Sequence, residues 1–207
     1  MDASMPWPAS VLAIADAVEL DAAAPIAIGR VGNTIHRVRL RDGGWGVLKR
    51  GGGALGGDEA RADVLAEAER LAWLDGRAGA PRLLWTGNVG EHAASLATHL
   101  SGLPAHERQE NPTHAITIAA RALRAVHELP VRACPFGEHR DAGDVVIHGD
   151  YALPNVIIGD EAVGIVDWSL MRVGDRNEDI DDAERSIGRN FGERWVPRFR
   201  EAYEGNG

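Results

Sequence analysis

The chain holds a single cysteine, Cys134, so no internal disulfide can form and a reducing compartment, the cytoplasm, is expected. No apolar run reaches membrane-spanning length, and the first residues, MDASMPWPAS, lack the basic start and apolar core of a signal peptide. Nor is there a surplus of basic residues: 22 Lys and Arg against 31 Asp and Glu leave a formal charge of −9. That balance argues against a nucleic-acid partner and suits a cationic small molecule. The eight histidines include no H-E-x-x-H pair, and no internal repeat is present. The glycine run from Gly51 to Gly57 is not followed by Lys-Ser or Lys-Thr, so it is no Walker-type phosphate loop. It reads as mobile slack between a strand and a helix.

What is present is densest between Val145 and Ile180: VVIHGDYALPNVIIGDEAVGIVDWSLMRVGDRNEDI. The apolar run Val145 to Ile147 delivers His148-Gly149-Asp150 to a strand end. Asn155 follows five residues after Asp150, then Val156 to Ile158, a Gly159-Asp160 turn, and a second apolar run, Val163 to Val166, ending at Asp167. Short apolar runs bounded by turn residues predict a hairpin of buried strands. Three oxygen-bearing side chains, Asp150, Asn155 and Asp167, then stand at strand ends.

The earlier half has a different grain. Met1 to Pro8 read as a loose leader, and Ser10 as the cap of a short helix to about Leu20. After Ile26-Ala27-Ile28 and the segment Gly29 to Thr34 comes an alternating strand, Ile35 to Leu40. An Asp42-Gly43-Gly44 turn and a returning strand, Trp45 to Lys49, complete the hairpin. Val64, Leu65, Ala68, Leu71 and Ala72 recur at helical spacing between Asp58 and Leu74, and Asp75-Gly76 stops that helix. Pro81 to Thr86 and Ala93 to Leu100 read as strands, and Ser101 to Pro104 as a break. Asn111 or Thr113 caps a helix to about Glu128, stopped by Pro130. Asp175 to Arg189 and Gly192 to Tyr203 form two more helices.

The order H-G-D-x-x-x-x-N, then V-D-W, then G-D-x-x-x-D-I (Gly174, Asp175, Asp179, Ile180) resembles the aminoglycoside phosphotransferases and related choline kinase-like small-molecule kinases. Its motifs are nearest those of the aminoglycoside 3'-phosphotransferases. Gly149 stands where protein kinases carry an Arg, and Asp167-Trp168-Ser169 where they carry D-F-G. The resemblance runs from about Ile26 to Tyr203. It implies an α+β, bilobal, protein-kinase-like fold: an antiparallel-sheet N-lobe over 1–97, a hinge over 98–102, and a mainly helical C-lobe with a catalytic hairpin over 103–207.

The same resemblance assigns roles. Asp150 would take the proton of a substrate hydroxyl, while Asn155 and Asp167 would hold Mg2+. Lys49, paired with Glu67, would meet the α- and β-phosphates of ATP or GTP. Glu67 is favoured over Glu69 because E-A-E-R-L-A-W-L places it at the family's step. Gly29, Gly32, Asn33 and Thr34 would form the loop over the phosphates, and backbone groups of Thr98 and Leu100 would meet the adenine edge. Arg185 falls at a substrate-side position. His148 would anchor the loop, and His127 would pack and hydrogen-bond. Asp175 and Asp179 would brace the loop or cap the next helix.

The chain departs from the family in its substrate half. Only residues 137 to 147 lie between Phe136 and His148, where aminoglycoside kinases carry tens more, and Leu153 and Arg189 stand at positions that can be acidic. The expected activity is therefore transfer of a γ-phosphate to a hydroxyl of a small molecule, an aminoglycoside by family default. Other expectations are a kinase of another small alcohol or peptide antibiotic, or a nucleotide-binding module with a trimmed substrate site. A metal hydrolase using His148, Asp150 and Asp167 lacks the second histidine pair such a site needs.

Overall fold

A computed structural model describes residues 7–16, 20, 25–138, 144–160 and 162–205. The leader to Pro6, Val18 of the expected first helix and residues 139–143 of the short connection lie outside the described residues. The chain divides into two compact units: one to Asp75 plus Pro81–His99, the other Gly76–Ala80 plus the chain from Leu100.

The first unit is built on a five-stranded antiparallel sheet, ordered β1-β2-β3-β5-β4. Its strands are β1 (Pro25–Ile28), β2 (Thr34–Arg39), β3 (Trp45–Gly51), β4 (Leu83–Val89) and β5 (His92–Thr98). Alternation along β2 sorts its side chains: His36 and Val38 are buried, Arg37 and Arg39 exposed. One face buries Val38, Leu40, Leu48, Val89, Ala94 and Leu96 with Trp7, Val11, Ala15 and Leu20. The register pairs Ile35 with Lys49 and Lys49 with Ser95. Lys49 follows Leu48 in the strand, so it stands on the opposite face.

The first helix is shorter than its sequence suggests. It spans α1 (Ala9–Leu12), has Pro8 at its N-cap position, and has no side-chain cap. Ser10 lies inside it, its Oγ accepting from Trp85 Nε1 at 3.0 Å. Pairing of Ala15 with Leu40, and of Arg41 N–H with the Ile14 carbonyl at 2.8 Å, commits the next residues to the sheet. Tertiary pairing here overrides helix propensity.

Helix α2 (Gly57–Leu74) packs on β3 and β5 through Ala60, Val64, Ala68, Leu71 and Leu74. The glycine run before it is close-packed at Gly51, Gly52 and Gly56, while Gly53 and Ala54 are exposed and Gly57 has open space beside it. Gly56 sits at φ +79 as the N-cap of α2, and a Cβ there would lie 2.0 Å from the Val31 carbonyl oxygen and 2.6 Å from Ala60 Cβ. The chain of the Gly29–Thr34 loop can come this near α2 only because Gly56 has no side chain.

The second unit centres on α3 (Pro112–His127). Its N-cap Asn111 accepts from His114 N–H at 3.1 Å, and Pro112 occupies the first turn. Val145–Ile147 (β7) pairs with Arg172–Gly174 (β10), and Val156–Ile158 (β8) pairs with Val163–Ile165 (β9). Leu103–Pro104 (β6), inside the expected break, adds a two-residue edge to β8. Helices α4 (Arg176–Asn190) and α5 (Val196–Glu204) complete the unit. The α+β class and the antiparallel N-terminal sheet agree with expectation.

Candidate functional site

In the first unit the site begins with Lys49. Its Nζ lies 2.9 Å from Glu67 Oε2 and 2.7 Å from Asp63 Oδ2. The two acids are one helical turn apart on α2, so both face β3. Glu69 is exposed on another side of the helix. Glu67 was legible in the sequence. Asp63 was missed, although its four-residue step from Glu67 is a signal that could have found it.

Asp63 Oδ2 also accepts from Asn33 Nδ2 at 2.5 Å, tying the Gly29–Thr34 loop to the same carboxylate. Asn33 is buried and lies flat on Gly29: a Cβ at Gly29 would be 1.8 Å from Asn33 Oδ1. Gly29 N–H donates to the Asn33 carbonyl at 2.8 Å, and Gly32 turns the loop at φ +85. The Asn33 side chain is thus turned inward, its Nδ2 on Asp63 and its Oδ1 buried without a hydrogen-bond partner among the described residues, as is Thr34 Oγ1. Backbone N–H groups are what this loop can offer an anion.

Thr98 closes β5. Its N–H donates to the Arg82 carbonyl, and its Oγ1 accepts from Arg82 N–H, both at 2.9 Å. Leu100, in the second unit, lies over Gly164, where a Cβ would sit 2.4 Å from Leu100 Cδ1.

The second unit builds the His148–Asn155 loop on buried supports. Asp179 of α4 is fully buried; its Oδ2 accepts from His148 N–H at 2.7 Å and its Oδ1 from Gly149 N–H at 2.8 Å. Asp179 Oδ2 also meets His127 Nε2 at 3.1 Å, and His127 Nδ1 meets the Tyr203 hydroxyl at 2.7 Å. A carboxylate can only accept, so His127 donates through Nε2. Burial first, then the Asp179 charge, pushes the Tyr151 hydroxyl above the ordinary phenol range. That hydroxyl donates to the Ala119 carbonyl at 2.7 Å, pinning the residue after Asp150 to α3. Gly149 turns at φ +86, and a Cβ there would lie 2.6 Å from the Leu170 carbonyl oxygen, which leaves no room for an arginine.

His148 joins the two halves of the hairpin. Its Nδ1 accepts from Asp150 N–H at 3.4 Å, and its Nε2 donates to the Val166 carbonyl at 3.0 Å. Both ring nitrogens are committed, which makes His148 an anchor, not a proton carrier. Trp168, fully buried, stacks edgewise on His148 at 4.7 Å.

Asp150 is exposed at the turn. Asn155 Nδ2 donates to the Asp150 carbonyl at 3.0 Å, and the Asn155 carbonyl accepts from Val166 N–H at 2.9 Å. Asn155 thus ties the Asp150 turn, through its side chain, to the strand end just before Asp167, through its carbonyl. Asp167 holds φ +65, a left-handed conformation that is costly for a residue with a Cβ and is met where a side chain must be aimed. Asp175 caps α4, accepting from Asn177 N–H at 2.9 Å. Arg185 is exposed on α4 and paired with Asp182.

Among the described residues, no group of three His, Cys, Asp or Glu could hold a metal ion. Magnesium, however, commonly takes one or two protein oxygens and completes its shell with phosphate and water. Asn155 and Asp167 offer hard oxygens of that kind.

The family model described as "Phosphotransferase enzyme family" matches residues 26–144 and 138–207. An aminoglycoside 3'-phosphotransferase of Niallia circulans is 30% identical over 183 residues, covering 66% of this chain and 70% of that longer protein. Among solved structures, an aminoglycoside-3'-phosphotransferase of type VIII superposes with a TM-score of 0.73 at 20% identity, covering 88% of this chain and 85% of that one. The aminoglycoside phosphotransferase APH(3'')-Id of Streptomyces rimosus, in complex with ADP and streptomycin, superposes at 0.67 with 22% identity, covering 86% of each chain.

Proposed function

This chain belongs to the phosphotransferase enzyme family and is a small-molecule kinase, and on that premise we propose that it moves the γ-phosphate of ATP or GTP to a hydroxyl of an aminoglycoside-type antibiotic. The observation that carries the reading is the turn in which Asn155 bonds the Asp150 carbonyl through its side chain and the strand end before Asp167, at Val166, through its own carbonyl. Such a turn is what in-line phosphoryl transfer needs, because that reaction asks the protein mainly for positioning and charge neutralisation.

Asp150 would accept the hydrogen bond of the acceptor hydroxyl and take its proton as the oxygen attacks phosphorus. Lys49, steadied by Glu67, would contact the α- and β-phosphates. Backbone N–H groups of the Gly29–Thr34 loop other than those of Gly29 and Gly32, which are bonded within it, would cover the phosphates, and backbone groups near Thr98 and Leu100 would meet the base. With Nδ2 on the Asp150 carbonyl, Asn155 keeps Oδ1 for a cation beside Asp167. Magnesium held there would neutralise charge developing on the phosphate oxygens. Arg185 would face the substrate side.

The formal charge of −9 favours a cationic acceptor, and the Niallia and Streptomyces relatives are named for aminoglycosides. No described helix is long and apolar enough to cross a membrane. A cytoplasmic resistance kinase is the role these features support.

The test is incubation with magnesium and ATP or GTP against aminoglycosides, peptide antibiotics and amino alcohols, read by mass spectrometry. One added phosphoryl group on an aminoglycoside is expected. Transfer to another class alone would reassign the acceptor, and no product from any class would contradict the reading.

A further inference from the structure

Lys49 faces two carboxylates where one would fix it. Its ammonium lies 2.7 Å from Asp63 and 2.9 Å from Glu67, with Asp63 Oδ2 shared between Lys49 and Asn33. These three ionisable side chains carry one positive and two negative charges at the place where phosphate oxygens would arrive. They are largely withdrawn from solvent, with side-chain exposures of 10% for Lys49, 20% for Asp63 and 12% for Glu67. Screening between them is correspondingly weak.

We propose that Asp63 is a competing partner of Lys49, a positioning residue whose charge weakens nucleotide binding and speeds the departure of spent nucleotide. The proposal rests on Lys49 meeting phosphates, as put forward above. Phosphates draw the ammonium toward themselves, and Asp63 draws it back while repelling them. Asp63 holds the loop through Asn33, so it senses both the lysine and the loop that would cover the phosphates. As Lys49 turns toward phosphate, the Asn33 amide stays as the neutral donor that keeps the Asp63 carboxylate paired. The device would make binding of a highly charged nucleotide reversible on the timescale of turnover.

Asp63→Asn is the diagnostic change. An amide oxygen in the place of Oδ2 can still accept from Asn33 and from Lys49, so geometry is kept and only charge is lost. Affinity for magnesium-ADP, measured by calorimetry, should rise by roughly fivefold, with a slower off-rate in stopped flow. The gain should shrink as salt is raised. Glu69→Gln, the same charge change on an exposed position of α2, should leave affinity as it is. A support that was merely structural would show the opposite sign: weaker binding and a lower melting temperature. Unchanged or weaker binding in a folded Asp63→Asn protein, or the same gain in Glu69→Gln, would overturn the proposal while leaving phosphoryl transfer intact. Failure of the unaltered chain to bind ADP or ATP would overturn both.

Discussion

At the scale of single residues, the molecule separates groups placed for chemistry from groups that hold them. Asp150 is exposed, whereas Asp179, four residues beyond the Asp175 cap, is wholly buried with two backbone donors and a histidine on it. Asp179→Ala would leave the His148, Gly149 and His127 donors unpaired in the interior. Each such orphan costs about 1–3 kcal/mol, so a loss of at least ~2 kcal/mol is expected in urea unfolding. A change below ~0.5 kcal/mol would mean that water takes over those donors. The placing of Asp150, Asn155 and Asp167 beside short apolar runs could be read from the sequence, and their expected roles came from the family resemblance. Asp63 was harder to single out: its four-residue step from Glu67 is in the sequence, but α2 carries acids on several faces and the choice depends on where β3 presents Lys49.

At the scale of elements, periodicity recovered most of the chain and failed where long-range pairing decides. Helix α3 and strands β2 and β3 follow their hydrophobic patterns. Helix α1 stops early because Ala15 is claimed by Leu40, a partner 25 residues away. The two-residue strand β6 is too short to show any period. The glycine run misled in part for a related reason: its composition says flexible throughout, while Val31 and Ala60 close on Gly56. Gly56→Ala tests this against Gly90→Ala, where the backbone is also left-handed, at φ +59, but nothing lies within 4 Å of the added methyl. Gly90→Ala should cost about 1 kcal/mol for the backbone alone. Gly56→Ala should cost at least ~2 kcal/mol more, from overpacking against backbone. Equal costs would show that this contact can open.

At the scale of the whole molecule, the acidic balance, the family match and the turn braced by Asn155 describe a small-molecule kinase whose acceptor is set by features that leave little mark on a sequence. Backbone contacts to a base carry no side-chain signature, and a substrate wall is a matter of packing more than of motif. The central claim is that Asp150 works on the acceptor and not on the nucleotide. The direct measurement pairs magnesium-ATP affinity with the rate of phosphoryl transfer in Asp150→Asn. The account predicts affinity within about threefold of the unaltered protein and turnover lowered by roughly a hundredfold or more. Turnover that survives the substitution at its original rate would contradict it.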